Sequence, residues 1–441
     1  MRRLILIYPA IGRKPGEPFV RSWQLQPLGM ARLAAMTPSH WQVTFLDDRV
    51  EPIDCSLGAD LVAISIEAYS AKRGYRIAAK FRARGIPVVL GGFHATLCPE
   101  EAQQHADAVC VGEAESVWRE ILNDAERGQL RSVYQGDRAR PLEGLRPDRR
   151  IFKGKSYLPL ALVETSRGCP FRCDFCSIAA AFQGTYRRRP TQEVVEELRE
   201  IRERYVFFVD DNIVGDPGGA RELFEAITPL RLRWLSQASL NALKDESLIR
   251  QMARSGCMGV LIGFESLNHQ NLEAMGKRVN KVEDYHTALE RLRRAGIFVY
   301  GTFIFGYPHD TPESFEQSVH FAKEEKLLIA AFNHLVPFPG TPLYQGLEKE
   351  GHLKYPQWWL SDGYRFGQVP FRPANLSAEA VETNCRKARR SFYAWGSILR
   401  RSLEFRCNSA SPRQAWAYWT LNLMLRRELS QKFGIPLGGE P

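Results

Sequence analysis

"TSRGCPFRCDFCSI", residues 165–178, places Cys169, Cys173 and Cys176 within eight residues of a chain that has nine cysteines in 441. The spacing is C-x-x-x-C-x-x-C. Iron-sulfur clusters are held by cysteine thiolates, normally four, so three thiols from one loop leave one iron without a protein ligand. The competing assignment is zinc, which needs a fourth ligand at a matching spacing and usually pairs of C-x-x-C. None is nearby. An odd number of unevenly spaced cysteines in a long chain also speaks against a disulfide framework.

The stretch follows an apolar run, "LALVETS", and opens a regular alternation. Strand-like segments "YVFFVDD", "LRWLSQAS", "MGVLIGFES", "IFVYGTFIFG" and "AAFNHLVPF" are separated by helix-like ones such as "TQEVVEELREIRER" and "VEDYHTALERLRRAG". Six strands with intervening helices predict a partial (β/α)6 barrel of the TIM type over residues 155–345. In such barrels chemistry sits at the carboxyl ends of the strands, which selects Asp210, Asp211, Ser239 and Glu265, and the run from Thr302 through Phe305. Neighbouring residues on a strand face opposite ways, so the pattern leaves the choice between Asp210 and Asp211 open. Asp216 reads as a helix cap.

Ahead of the barrel, "RRLILIYP", "QVTFLD", "DLVAISI", "IPVVLGG" and "DAVCVGE" alternate with helical segments. This is the pattern of a parallel sheet covered on both faces. It predicts an α/β, Rossmann-like domain over residues 1–140, with a linker at 141–154. Ligands of such sheets lie beyond the carboxyl ends of the strands. The loops there read Ser65-Ile66-Glu67, Gly91-Gly92-Phe93-His94 and Gly112-Glu113. Small residues let a large flat ligand approach the backbone, while Ser and Glu can bind amide side chains. No G-x-G-x-x-G follows the first strand, which disfavours a nicotinamide or flavin dinucleotide.

The pattern "QPLGMARLAA…VAIS…RARGIPVVLGGFHATLCPEEA…DAVCVGEAE" resembles the cobalamin-binding domain of cobalamin-dependent radical S-adenosylmethionine (SAM) enzymes. The cysteine spacing, with Phe175 directly before the last cysteine, resembles the radical SAM superfamily. The resemblance implies three cofactors: a [4Fe-4S] cluster on Cys169, Cys173 and Cys176, SAM on its open iron, and cobalamin. SAM would be met by Phe175, Asp210 or Asp211, Ser239, Glu265, Thr302, Phe305 and Val336. Cobalamin would be met by Ser65, Ile66, Glu67, Gly91, Gly92, Phe93, His94, Gly112 and Glu113. Residues 1–140 lack the D-x-H-x-x-G motif whose histidine ligates cobalt in many such domains, which implies base-off cobalamin without a protein histidine.

By the same resemblance, the activity is methyl transfer from SAM through methylcobalamin to an unactivated carbon, after hydrogen abstraction by a 5′-deoxyadenosyl radical. The substrate would be a small molecule or lipid, and the electron donor an external protein such as flavodoxin or ferredoxin. Cyclisation or ring rearrangement is the alternative within the family. A nucleic-acid-modifying enzyme is the alternative outside it, suggested by a formal net charge of +10. However, Cys55, Cys98 and Cys110 are too dispersed to form the second cysteine site of the methylthiotransferases, so no nucleic acid is expected.

After residue 345 the alternation stops. "YPQWWLSDGYRFGQVPFRPANLS" is rich in aromatics, Pro and Gly, and two helical patterns follow, from Ala378 to about Arg401 and over "PRQAWAYWTLNLMLRRELSQKFG". Residues 346–441 thus read as a mainly helical domain that caps the substrate, with the aromatic stretch meeting it. Trp and Leu opposite Arg on the last helix permit a peripheral contact with the inner membrane, although packing on the barrel is the plainer role. No apolar run reaches the ~18 residues of a membrane span, and "MRRLILIYPA" is too short for a signal peptide. A cytoplasmic chain is expected.

Overall fold

The computed structural model describes residues 1–14, 16, 24–429 and 431–439. The first half is built on six parallel strands: β1 (Arg2–Tyr8), β2 (Trp41–Asp47), β3 (Leu61–Ser65), β4 (Val88–Gly91), β5 (Ala108–Val111) and β6 (Val133–Gln135), in the order β2-β1-β3-β4-β5-β6. Alternate residues feed two cores. Ile5, Ile7, Val62, Ile64 and Leu90 face one side, and Leu4, Leu6, Leu61, Ala63 and Val89 the other. Burial on both faces explains why these strands read as continuous apolar runs. Strand order reverses between β1 and β3, which opens a crevice at their carboxyl ends. The three-residue β6 has too little pattern to be legible in the sequence.

The second half begins with β7 (Ala161–Val163). An antiparallel hairpin, β8 (Ser166–Gly168) with β9 (Tyr186–Arg188), follows, and the sheet then resumes with β10 (Tyr205–Phe208), β11 (Arg233–Gln237), β12 (Cys257–Glu265), β13 (Phe298–Phe305) and β14 (Ile329–His334). Strands β7 and β10 to β14 pair in parallel and in sequence order, an open six-stranded barrel. Its helices start on capping side chains: Asp216 accepts from Gly218 N at 3.1 Å, and Asp245 from Ser247 N at 2.8 Å.

The C-terminal region differs from expectation in two ways. The helical pattern after Ser377 is two helices, Ala378–Phe392 and Trp395–Ser402, followed by Pro412–Glu428. The aromatic stretch does not form an open substrate surface. Trp358, Trp359 and Tyr364 are buried in the core of the first sheet, Trp358 against Tyr69 at 4.8 Å, and Trp359 Nε1 donates to Glu101 Oε2 at 3.0 Å. The segment straps the two halves together.

Candidate active site

The cysteine loop leaves β8 at Gly168, whose φ is +86°. A Cβ there would lie 2.1 Å from the Thr185 carbonyl, so the position requires glycine. Four other parts of the barrel hold the loop. Gly168 N donates to Asp211 Oδ2 at 3.1 Å beyond β10, Asp174 N to the Met275 carbonyl at 3.0 Å and Leu343 N to the Asp174 carbonyl at 3.1 Å, and Tyr307 OH to Asp174 Oδ1 at 2.6 Å. The loop is therefore fixed by residues following β10, β12, β13 and β14.

Burial raises the Cys169 and Cys176 thiols and pushes Cys173 up to about 12; Lys277 opposes this at Cys173, while Cys176, Glu265 and Cys169 add to it. The three thiols thus lie within one another's electrostatic reach. Among the described residues no group of three or more His, Cys, Asp or Glu is gathered as a single-ion site. Three cysteine donors on one pinned loop suit an iron-sulfur cluster, whose cationic irons would reverse the effect of burial on the thiols.

The structure separates the two adjacent aspartates. Asp210 is buried and spent on internal bonds from Thr165 N, Thr165 Oγ1 and Ser166 Oγ, and burial pushes it up to about 7. Asp211 faces the cleft described below, and burial raises it to about 6. Ser239 exchanges bonds with Asn212: its N donates to Oδ1 and its Oγ accepts from Nδ2, both at 3.0 Å. Glu265 ends β12 at φ +64°, a strained value for a non-glycine residue. It is paired with Lys277 Nζ at 2.5 Å, and Thr302 Oγ1 lies 3.5 Å away. Phe175 is partly buried against the barrel core, and Val336 against the core containing Trp358. Phe305 is turned away from the barrel mouth and stacks on Phe315 at 4.1 Å.

A solvent-open cleft of about 490 Å³ joins the two sheets. That is within the ~300–1000 Å³ of small-molecule sites, and its open side leaves room for a ligand to extend outward. Tyr8, Ser65, Glu67, Gly91, Gly92, Phe93, Gly112 and Glu113 line it from the first sheet, and Glu164, Arg167, Ile178, Phe182 and Asp211 from the barrel. Its floor is kept low by glycine: at Gly92, with φ +94°, a Cβ would stand 2.7 Å from the Ile66 carbonyl and 2.8 Å from Ser65 Oγ. Burial raises the Glu67 carboxyl to about 7. Ile66 and His94 do not line the cleft. Ile66 is in the core, and the buried His94 ring meets Glu101 Oε1 through Nε2 at 2.9 Å.

In the wall of the cleft the halves are joined by a buried ionic network; sequence reasoning named Glu113 but missed its partners. Arg32 and Arg167 meet Glu164 at 2.7 and 3.1 Å, Arg167 also meets Glu113 and Glu115 at 2.7 and 2.8 Å, and Arg187 pairs with Glu113. Its members come from distant parts of the chain, so no local spacing reveals them. Lys277 was missed for a related reason: "GKRVN" carries no periodic or motif signal, and its role depends on the fold bringing it to Glu265.

Comparison with known proteins agrees with this arrangement. Residues 22–122 match the B12 binding domain and residues 163–322 the radical SAM superfamily. The chain is 33% identical over 389 residues to the bacteriochlorophyllide d C-12(1)-methyltransferase of Chlorobaculum tepidum, covering 85% of this chain and 84% of that one. It is 27% identical over 400 residues to the bacteriochlorophyllide d C-8(2)-methyltransferase of the same organism, covering 85% and 87%. In fold it resembles the radical SAM methyltransferase TsrM of Kitasatospora setae, with a TM-score of 0.66, 18% identity, and coverage of 89% of this chain and 83% of that one. The chain belongs to the cobalamin-dependent radical S-adenosylmethionine enzymes, in the methyltransferase family.

Proposed function

We propose that this enzyme transfers a methyl group from SAM, by way of cobalamin, to an unactivated carbon of a small-molecule or lipid substrate from which a hydrogen atom has been removed. The observation that carries the reading is a cleft lined by the carboxyl ends of β3, β4 and β5 from the first sheet and of β7 and β10 from the barrel, with Asp211 and the residues that follow the cysteine triad, Ile178, Ala181 and Phe182, on its far wall. Reacting groups held by either half would share one space from which water can be excluded. When bound, the cluster at Cys169, Cys173 and Cys176 supplies the electron that cleaves SAM, and cobalamin carries the methyl group.

The residues have distinct tasks in this reading. Gly91, Gly92 and Gly112 leave backbone against the corrin face, while Ser65, Glu67, Phe93 and Glu113 meet its edge and amide groups. The engagement of His94 with Glu101 supports cobalamin without a protein histidine ligand. Asp211 receives the amino group of SAM, because Asp210 is occupied by Thr165 and Ser166. The Glu265–Lys277 pair, Thr302 and Ser239 orient the carboxylate and ribose, Phe175 and Val336 border the adenine, and Phe305 contributes through its backbone. An external flavodoxin or ferredoxin supplies electrons in the cytoplasm. No described helix is long and apolar enough to cross a membrane. The named activities of the two Chlorobaculum relatives support a large ring system as the substrate class.

The test is an anaerobic incubation with cobalamin, reductant and SAM bearing a deuterated methyl group, with bacteriochlorophyllide d as the first substrate tried and lipid acceptors next. Deuterated methyl in the product is expected. A product lighter by two hydrogens, with no label, would replace methyl transfer by oxidative cyclisation.

A further inference from the structure

The helices Trp395–Ser402 and Pro412–Glu428 form an antiparallel pair on the barrel edge. Tyr418 OH donates to the Ile398 carbonyl at 2.6 Å, and Arg401 Nη2 to Asn422 Oδ1 at 3.0 Å. Arg401 also anchors the pair to the barrel, donating to the Leu327, Leu328 and Phe392 carbonyls with its guanidinium 3.8 Å from the Phe392 ring. The pair is therefore a firm platform.

Its outer side is unusual for a protein surface. Trp395, Leu399 and Leu403 recur every four residues, the spacing of one helical stripe, and are 58%, 56% and 61% exposed; Phe405 and Trp416 are 69% and 71% exposed. Trp416 precedes Tyr418 and Asn422, which pack against the first helix near Ile398 and Arg401, so it lies toward the Leu403 end. Arg426 lies over the Trp395 ring at the other end, 5.1 Å from its centroid. Isolated exposed apolar residues are ordinary, but a cluster of large ones marks an interaction surface.

The charge around the cluster selects the partner. Residues 386–427 carry ten Lys or Arg against one acid, Glu404; Arg401 is buried and Arg400 and Arg406 pair with Glu324 and Glu290 at 3.0 and 2.9 Å, and the remainder still leaves the region basic. Arg413 and Arg427 are exposed near the two ends of the second helix. Aromatic and leucine side chains beside arginines match the interfacial layer of an anionic bilayer, where rings enter the headgroup region and cations meet phosphates. A protein partner would have to supply both a large apolar face and a strongly acidic rim.

We propose that this helix pair docks the enzyme on the surface of an anionic phospholipid membrane. Docking deepens the reading of a large, poorly soluble substrate but does not depend on methyl transfer. It predicts that the reconstituted full-length enzyme floats with phosphatidylethanolamine/phosphatidylglycerol vesicles and much less with phosphatidylcholine vesicles, and that salt releases it. Two variant sets separate the contributions: Trp395→Ser with Leu399→Ser and Leu403→Ser, which should reduce vesicle binding at least tenfold, and Arg413→Gln with Arg427→Gln, which should reduce it roughly fivefold per charge on anionic vesicles only. Both alter exposed side chains, so the thermal midpoint and bound iron should match wild type. Wild-type enzyme that stays in solution with anionic vesicles at low salt would overturn the proposal. So would variants that bind like wild type, or a dimer that the triple variant dissociates while vesicle binding is absent. Loss of vesicle binding with unchanged label transfer to a detergent-solubilised substrate would support docking separately from the activity.

Discussion

Replacing Arg32 by Met tests whether the buried network in the cleft wall ties the two halves together. Arg32 Nη2 lies 2.7 Å from Glu164 Oε2, with both side chains nearly buried, and bridges the first helix of the N-terminal half to the loop after β7. At an effective dielectric near 20 that separation corresponds to a gross attraction on the order of 6 kcal/mol. Desolvation offsets part of it, and Glu164 retains Arg167 at 3.1 Å. Removing one member of such a pair costs about 3 kcal/mol, the lower end for a broken buried ion pair. For units of this size that lowers the thermal midpoint by roughly 6–12 °C.

The pH dependence sharpens the test. Burial pushes the Glu164 carboxyl up, but Arg32 and then Arg167 outweigh it and hold the group down at about 2. A carboxylate with a lowered folded pKa stabilises above its unfolded value and loses that contribution as pH falls through the folded value. The Arg32→Met deficit should therefore be full at neutral pH and shrink from about pH 4.5 toward 2. The assay is thermal and urea unfolding of Arg32→Met, Glu164→Gln and the double variant, with the double variant recovering part of the loss through the coupling. An Arg32→Met protein within about 0.5 kcal/mol of wild type at neutral pH, or a deficit independent of pH, would refute the reasoning.

Gly92→Ala should weaken cobalamin binding at least tenfold in a spectroscopic titration and destabilise the fold by about 1–3 kcal/mol, because of its positive φ and the close carbonyl. Gly346→Ala, in an open helix position, should instead stabilise by about 0.5–1 kcal/mol. Glu67 has a folded pKa raised to about 7 by burial, so the stability it contributes is present below its unfolded value and fades as pH rises through 7; Glu67→Gln should flatten the stability slope between pH 4.5 and 7. Asp210→Asn should lower stability by about 1–3 kcal/mol through its lost internal bonds, whereas Asp211→Asn should leave stability nearly unchanged and weaken SAM binding in equilibrium dialysis.

The elements that were legible in the sequence are those with local signals. Five strands of the first sheet and all six of the barrel show as apolar runs, and the cysteine spacing marks its loop without help from the fold. What escaped depends on distant partners. The aromatic stretch around Trp358 has the composition of an exposed binding loop, and only the approach of Glu101, 258 residues from Trp359, shows that it is packed. Asp210 and Asp211 are equivalent in sequence until Thr165 and Ser166 engage one of them. His94 follows β4 where the sequence suits a ligand contact, yet it lies in the short helix Phe93–Leu97 and its ring turns into the core toward Glu101.

We propose that one chain holds two cofactors at separable sites, cobalamin in the cleft and the cluster on the cysteine loop. Iron, acid-labile sulfide and cobalamin should be measured together after anaerobic reconstitution of wild type, the Cys169→Ala, Cys173→Ala, Cys176→Ala triple variant, and Gly92→Ala. The account predicts that wild type holds both, that the cysteine variant loses iron and sulfide but keeps cobalamin, and that Gly92→Ala does the reverse. A wild-type chain that takes up neither cofactor, or a cysteine variant that keeps its iron, would contradict it.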